Sequence, residues 1–188
     1  MSGQGIVQFR SNCPTVAVAA QTGDITLFDP ADSREAAAID VVANITDVRA
    51  TCATVGEDFH SDVTYVVNAL RRDAGPAREI DLPVFTTVVR GGNAVIAKRV
   101  ASIRLSFAAG AVRAHATGRA DAYVNREAAT LPPDVLNRVN RRRRSGDEDA
   151  ALDPLARPDV RAALQRSSFE LLVGFNLTSD QLRYNVTR

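Results

Sequence analysis

The two cysteines have the most reactive side chains of this 188-residue chain. A lipid-anchor cysteine would follow an apolar segment, whereas the sequence Arg10-Ser11-Asn12 precedes Cys13. A disulfide between Cys13 and Cys52 would close a loop of about 40 residues and stabilise the fold by about 4 kcal/mol in the chain-entropy model. Two buried free thiols, or one reactive thiol beside a histidine, are the alternatives. The sequence favours the disulfide, because both cysteines border predicted strands.

One cluster has the side chains that bind metal ions, the sequence DFHSD at residues 58–62. Alternate residues of an extended segment project to the same side, so Asp58, His60 and Asp62 could together bind a divalent ion weakly. The competing interpretation is a polar loop between two strands, and we favour it. We therefore predict no metal site and no cofactor. The second histidine, His115, lies on the polar face of a predicted strand and should point to solvent.

Four adjacent arginines are the strongest local charge of the chain, and they are Arg141, Arg142, Arg143 and Arg144. Such a run could bind phosphates or an acidic partner, with a strong dependence on salt. The acidic sequence at residues 147–149 follows closely and can neutralise it. We therefore favour a self-compensated surface loop, and the four arginines stay as candidate residues for binding an acidic partner or a lipid headgroup. The net charge of +1 gives no general reason to expect a nucleic-acid partner.

Motifs of common catalytic sites are missing from the sequence. There is no G-x-S-x-G, no H-E-x-x-H, no phosphate-binding loop and no dinucleotide fingerprint. Histidine is the usual general base, and the chain has only two. No base–nucleophile pair can be assembled from these residues, so the sequence predicts a protein that is not an enzyme.

The chain segments that position these residues are predicted to be mostly short strands. Val63, Tyr65 and Val67 alternate with more exposed positions, as a half-buried strand requires. Residues 37–55 are rich in β-branched side chains and predict either two strands or one bent strand. Residues 57–62 are expected to form a polar break. The sequence Arg90-Gly91-Gly92-Asn93 predicts a tight hairpin between two further strands.

Near residue 130 the periodicity changes from strand to helix. Pro132-Pro133-Asp134 is a typical helix start, and Pro158 opens a second short helix. Alternation returns in the sequence FELLVGF at residues 169–175, and Thr178 to Gln181 forms a capping box that should open a last helical turn. The helical insertion is thus expected at about residues 130–167.

The whole pattern predicts a mainly β protein, an antiparallel β-sandwich of immunoglobulin-like type with a short helical insertion. About seven strands at intervals of roughly ten residues support this, and a small β-barrel is the competing topology. Apolar residues at 45% and charged residues at 24% are ordinary for a globular protein. We expect a flexible tether at residues 1–12 and a single domain at residues 13–188. No apolar run reaches the roughly 18 residues of a membrane-spanning helix.

Three stretches of the sequence resemble a known family. They are CPTVAVAA at residues 13–20, ANITDVRATC at residues 43–52 and FELLVGFNLTSDQLRYNVTR at residues 169–188. They are similar to a family of small alphaproteobacterial envelope lipoproteins, which has no established biochemical role. Members of that family carry a signal peptide and a lipidated cysteine, neither of which occurs here. One explanation is that Met1 replaces the lipid-bearing cysteine.

The resemblance implies a periplasmic protein held at the outer membrane by a lipid anchor that this chain does not carry. On this basis we expect a structural or adaptor subunit of a cell-envelope protein complex. The helical insertion, with its arginine loop, is the expected contact surface. The alternative is a carrier that binds a small apolar ligand or lipid between the sheets or beneath the helices.

Overall fold

A computed structural model describes residues 13–141 and 153–187 of the chain, and most of these residues lie in eight strands and three helices. The strands are β1 (Thr15–Val18), β2 (Asp24–Phe28), β3 (Ile39–Val55), β4 (Asp58–Arg71), β5 (Arg78–Arg90), β6 (Ala94–Phe107), β7 (Arg113–Asn125) and β8 (Phe169–Phe175). The helices are α1 (Pro133–Asn140), α2 (Pro158–Ser167) and α3 (Ser179–Thr187).

The strands form two four-stranded sheets that pack face to face. The first sheet has the order β1-β8-β5-β6 and the second has the order β2-β3-β4-β7. All neighbouring strands are antiparallel except β1 and β8, which pair in parallel with Val16 opposite Leu171. The predicted β-sandwich is therefore confirmed.

The core lies between the sheets and follows the alternation of the strands. Val63, Tyr65, Val67 and Ala69 of β4 are all buried, and the residues between them are more exposed. The facing sheet contributes Leu82 and Val84 of β5, Leu105 and Phe107 of β6, and Leu171, Val173 and Phe175 of β8. Burial of these apolar faces is the main force that holds the two sheets together.

Residues 39–55 form one bent strand rather than two, and residues 37 and 38 belong to a short 3-10 turn before it. β3 runs for 17 residues, and its pairing with β4 shifts between Thr46 and Arg49. Asp47, inside that irregularity, has a φ of 52°. A β-bulge of this kind bends a strand and increases its twist. The bend lets the first half of β3 line the core while the second half, from Thr51 onward, is exposed.

The polar break predicted at residues 57–62 is wrong beyond Glu57. Asp58 to Asp62 belong to β4, which lies between β3 and β7, and the turn is limited to Gly56 and Glu57. Gly56 has a φ of 59°, which suits glycine in a tight turn. The physical reason is that β4 pairs with a neighbour on each side there. Backbone pairing on both sides outweighs the low strand propensity of aspartate.

The helical insertion packs as a small unit of its own. Val135 of α1 packs with Val160 and Ala163 of α2 in a separate apolar cluster. Arg138 joins the two helices, since its guanidinium donates to Asp134 and, at 2.6 Å, to Asp159. The helix starts at Pro133 and Pro158 agree with the sequence prediction. Both helices lie within the predicted insertion.

Helix α3 opens on the predicted capping box. The Thr178 backbone N–H donates to Gln181 Oε1 at 2.9 Å, and the Gln181 N–H donates to Thr178 Oγ1 at 3.3 Å. The buried Asn185 fixes the far end of the helix, because its Nδ2 donates to the carbonyls of Gln21 at 3.0 Å and Asp24 at 2.8 Å. The helix therefore lies against β2, an edge strand of the second sheet.

Candidate functional site

The two cysteines form a disulfide that ties one sheet to the other. Cys13 lies two residues before β1 of the first sheet, and Cys52 lies in β3 of the second sheet, with their Cα atoms 6.3 Å apart. The predicted pairing is confirmed. With both cysteines in the bond, the chain has no free thiol to act as a nucleophile.

The three candidate metal ligands lie at the start of β4 but do not form a site. His60 stacks on Tyr123 of β7 with 4.3 Å between ring centroids, and its Nδ1 lies 3.6 Å from Asp62 Oδ2. Among the residues that the structure describes, no group of three or more His, Cys, Asp or Glu side chains could hold a metal ion. His115 is exposed on β7, as the alternation predicts.

Of the four candidate partner-binding arginines, the structure describes one. Arg141 follows α1 directly, whereas Arg142, Arg143 and Arg144 lie outside the described residues. Arg141 is exposed.

We call this end of the sandwich the insertion end, and it comprises the β3–β4 turn, the β5–β6 hairpin, the end of β7 and the helical insertion. Side-chain contacts hold these parts together. Arg90 Nε donates to the Arg166 carbonyl, and Arg126 Nη1 donates to the Gly56 carbonyl at 3.2 Å. Several large apolar side chains are exposed here, and they are Val55, Val95, Ile96, Tyr123, Leu136 and Leu155.

Open clefts run between the insertion and the strand ends. One of about 810 Å³ lies between the β3–β4 turn and the start of α1, and residues Glu57, Arg126 and Pro133 line it. Another of about 500 Å³ lies beside the disulfide, where Cys13 and Leu164 form part of its wall. The insertion end is thus uneven and partly apolar.

Strand β6 is the most exposed long element of the fold. It lies at one side of its sheet and pairs only with β5 among the described residues. Every residue from 94 to 102 is exposed, and Val95, Ile96 and Val100 are 63%, 56% and 54% exposed. The pairing shifts at the start of the strand, between Val88 and Val89 of β5. The sequence alone shows the β-branched residues here but not their exposure.

A different kind of site lies at the opposite end, between β2, the loop that follows it and α3. A cavity of about 380 Å³ is lined there by Thr26, Leu27, Phe28, Ala31, Arg34, Asp40, Arg78, Thr178, Gln181 and Tyr184. The Phe28 and Tyr184 rings meet edge to face with centroids 5.2 Å apart. None of these residues was a sequence-based candidate. Only the capping box at Thr178 indicated that a helix begins here.

A bidentate ion pair lies in the wall of the same cavity. Arg78 donates to both Asp40 oxygens, with Nη1–Oδ1 at 2.9 Å and Nη2–Oδ2 at 2.7 Å. This hydrogen bonding, together with the positive charge of Arg78, lowers the pKa of Asp40 below 3.8, although partial burial acts in the opposite direction. Asp40 is thus ionised at neutral pH, and both of its carboxylate oxygens are paired with Arg78.

Comparisons with known proteins find little that resembles this chain. No protein-family model and no curated protein matches it. Among solved structures, the crystal structure of a DUF1425 family member from Shewanella sp. pv-4 matches over 57% of this chain and 81% of that chain, with 10% sequence identity and a TM-score of 0.27. No helix in the described part of the chain is long and apolar enough to cross a membrane. The functional inference therefore depends on the surfaces and cavities described above.

Proposed function

We propose that this chain is a non-enzymatic binding domain that acts as an adaptor subunit of a cell-envelope protein assembly. The observation that carries this proposal is that every residue of β6 from 94 to 102 is exposed and that β6 is the last strand of its sheet. An unpaired strand edge presents backbone N–H and C=O groups that can pair with a strand of another protein. The exposed Val95, Ile96 and Val100 would add apolar contact to those hydrogen bonds.

The charges of β6 favour a different protein over a second copy of this chain. Residues 94–102 contain Lys98 and Arg99 and no acidic residue. Two copies of this stretch paired with each other would bring like charges together, which destabilises a strand pair. Arg99 already lies 3.3 Å from Asp121, while Lys98 Nζ lies 4.9 Å from the Phe85 ring centroid. We therefore propose a partner strand that carries acidic residues.

The helical insertion extends the same contact surface. Arg90, which ends β5 next to the hairpin, is hydrogen-bonded to the last turn of α2. The insertion also carries the candidate arginines from Arg141 onward. Of these, Arg141 is described, and Arg142, Arg143 and Arg144 lie outside the described residues. This continuity supports the insertion as part of the binding surface.

The disulfide supports a location outside the cytoplasm. Stable disulfides form in oxidising compartments such as the bacterial periplasm and are rare in the cytosol. We propose that the domain faces the periplasm at the outer membrane; the predicted tether, residues 1–12, lies outside the described residues. The resemblance of the Cys13, Cys52 and C-terminal stretches to envelope lipoproteins motivates this part of the proposal.

The test is a crosslinking capture from the native envelope with matched charge variants. Ile96→Glu and Val100→Glu, combined, place repulsive charge on the proposed strand edge without a change to the core. Val186→Glu on α3 is the control, since Val186 is 61% exposed at the opposite end. We expect one defined partner with wild type and the control, and loss of that partner with the double variant. Equal capture by all three proteins would refute the role of β6.

A further inference from the structure

The basic residues of β6 differ in whether the protein itself pairs them with a carboxylate. The strand carries three, Lys98, Arg99 and Arg104. Arg99 Nη1 lies 3.3 Å from Asp121 Oδ1, and Arg104 donates to the two oxygens of Asp81 at 2.9 Å and 3.0 Å. Within the described part of the chain, Lys98 has no carboxylate partner. An acidic side chain from another protein would therefore meet its unpaired cation at Lys98.

The contacts of the Lys98 ammonium are neutral ones. Its Nζ donates to Asn176 Oδ1 at 3.2 Å and lies 4.9 Å from the centroid of the Phe85 ring. An amide oxygen and a ring face hold the ammonium in place without cancelling its charge. An ammonium has three N–H donors, and the Asn176 oxygen accepts one of them. Donors thus remain for a carboxylate.

The direction of these side chains decides which side of the sheet an acidic residue would occupy. Neighbouring residues of a strand project to opposite sides. Arg99 reaches a residue of β7 in the second sheet, so Lys98 projects to the outer side, away from that sheet. Val100 shares the outer side and lies opposite Phe85, as Lys98 lies opposite Thr87. The outer side of β6 thus presents a cation and an exposed β-branched residue two positions apart.

We propose that the strand which pairs with β6 carries an acidic residue opposite Lys98 and an apolar β-branched residue two positions away, opposite Val100. Cross-strand pairs of opposite charge stabilise a strand pair, and so do apolar pairs. An acidic residue shifted by one position would instead meet Arg99, whose charge Asp121 already compensates. The inference rests on the strand addition at β6 proposed above, and it adds the register and the sequence pattern of the partner.

The experiment titrates the full chain with the peptide Thr-Val-Thr-Glu-Thr-Val-Thr, blocked at both ends. The glutamate and both valines share one side of this strand, and the order is the same in both directions. In the reference peptide a lysine replaces the glutamate. Calorimetry gives the affinity, and amide chemical shifts of residues 94–102 locate the binding. We expect the wild-type protein to bind the glutamate peptide about fivefold more tightly, since an attractive cross-strand pair replaces a repulsive one.

Two variants of neighbouring cations separate the two sides of the strand. Lys98→Glu should reverse the preference, so that the lysine peptide binds more tightly. Arg99→Gln is the matched control, because it removes a cation one position away on the other side, and it should keep the wild-type preference. Both residues are exposed, so neither substitution disturbs the core.

The outcomes distinguish this inference from the strand addition on which it rests. Equal binding of the two peptides, with shifts at residues 94–102, overturns the role of Lys98 and leaves the strand addition intact. A preference that Arg99→Gln removes and Lys98→Glu keeps assigns the acidic residue to the other side of the strand, which also overturns the inference. An absence of saturable binding at millimolar concentration of either peptide overturns both.

Discussion

Arg71 is a buried cation that should stabilise the fold because its hydrogen bonds hold two loops together. It is the last residue of β4, is 5% exposed and donates to four backbone carbonyls. Nε reaches Ala111 at 2.7 Å, Nη1 reaches Pro76 at 2.9 Å, and Nη2 reaches Gly75 at 3.0 Å and Ala108 at 3.2 Å. The guanidinium thus joins the β4–β5 loop to the β6–β7 loop. We predict that Arg71→Met destabilises the protein.

The magnitude follows from two opposing effects. Hydrogen bonds from a charged donor contribute about 1.5–3 kcal/mol each, so four of them would contribute about 6–12 kcal/mol if they were additive. The variant does not have to bury a guanidinium, which recovers several kcal/mol of desolvation free energy. Water can also hydrogen-bond the loop carbonyls that Arg71 leaves. We expect a net loss of about 3 kcal/mol in the free energy of unfolding, near the lower end of values for a broken buried charge interaction.

Urea denaturation measures this loss, and hydrogen exchange locates it. Arg99→Met is the control, because its side chain is 73% exposed and an exposed ion pair contributes less than about 1 kcal/mol. The Gly110 N–H, which donates to the Gly75 carbonyl at 2.8 Å, should lose protection in Arg71→Met beyond the global change. A loss of stability equal to that of the control, with Gly110 still protected, would refute the reasoning.

Three further predictions concern the disulfide, a glycine and an ion pair. Reduction of Cys13–Cys52, with a sequence separation of 39, should lower the free energy of unfolding by about 4 kcal/mol, measured in urea with and without reductant; a loss below about 1 kcal/mol would contradict it. Gly118→Ala should cost about 2 kcal/mol, because its Cβ would lie 2.2 Å from Cζ of the buried Tyr65; an unchanged melting temperature would show that the ring can move. Asp40→Asn should destabilise the protein at neutral pH, and the difference from wild type should vanish as the pH falls below 3.8 through the lowered folded-state pKa. A difference that persists at about pH 2 would exclude the ion pair as its cause.

Much of the fold was predictable because its signals are local. The alternation in β4 and β8 reports which side of a strand is buried, and the glycines at residues 91 and 92 report a hairpin. The capping box at Thr178 and the prolines before α1 and α2 report helix starts in the same way. The disulfide was favoured from residue positions, and the structure confirms it. The prediction for residues 58–62 was wrong, because pairing on both sides of β4 is not visible in a local window.

The candidate sites were less predictable than the fold. The sequence pointed to arginines at residues 141–144 and to the Asp58, His60 and Asp62 cluster, since these are the residue types that commonly bind ligands. It gave no signal for the burial of Thr26 or for the cavity whose walls come from β2 and from α3, more than 150 positions later in the chain. An unpartnered polar group is a property of its tertiary surroundings and not of its residue type.

The sequence by itself determined the strand periodicity, the helical insertion and the acidic residues that follow the arginine run, because these depend on residues close together in the chain. Only the tertiary structure decided the order of the strands, the parallel pairing of β1 with β8 and the position of β6 at the edge of a sheet. It also decided which polar groups are buried, from Arg71 to Thr26. Strand order and burial arise from contacts between distant segments, whose free energy depends on how all the apolar faces pack together.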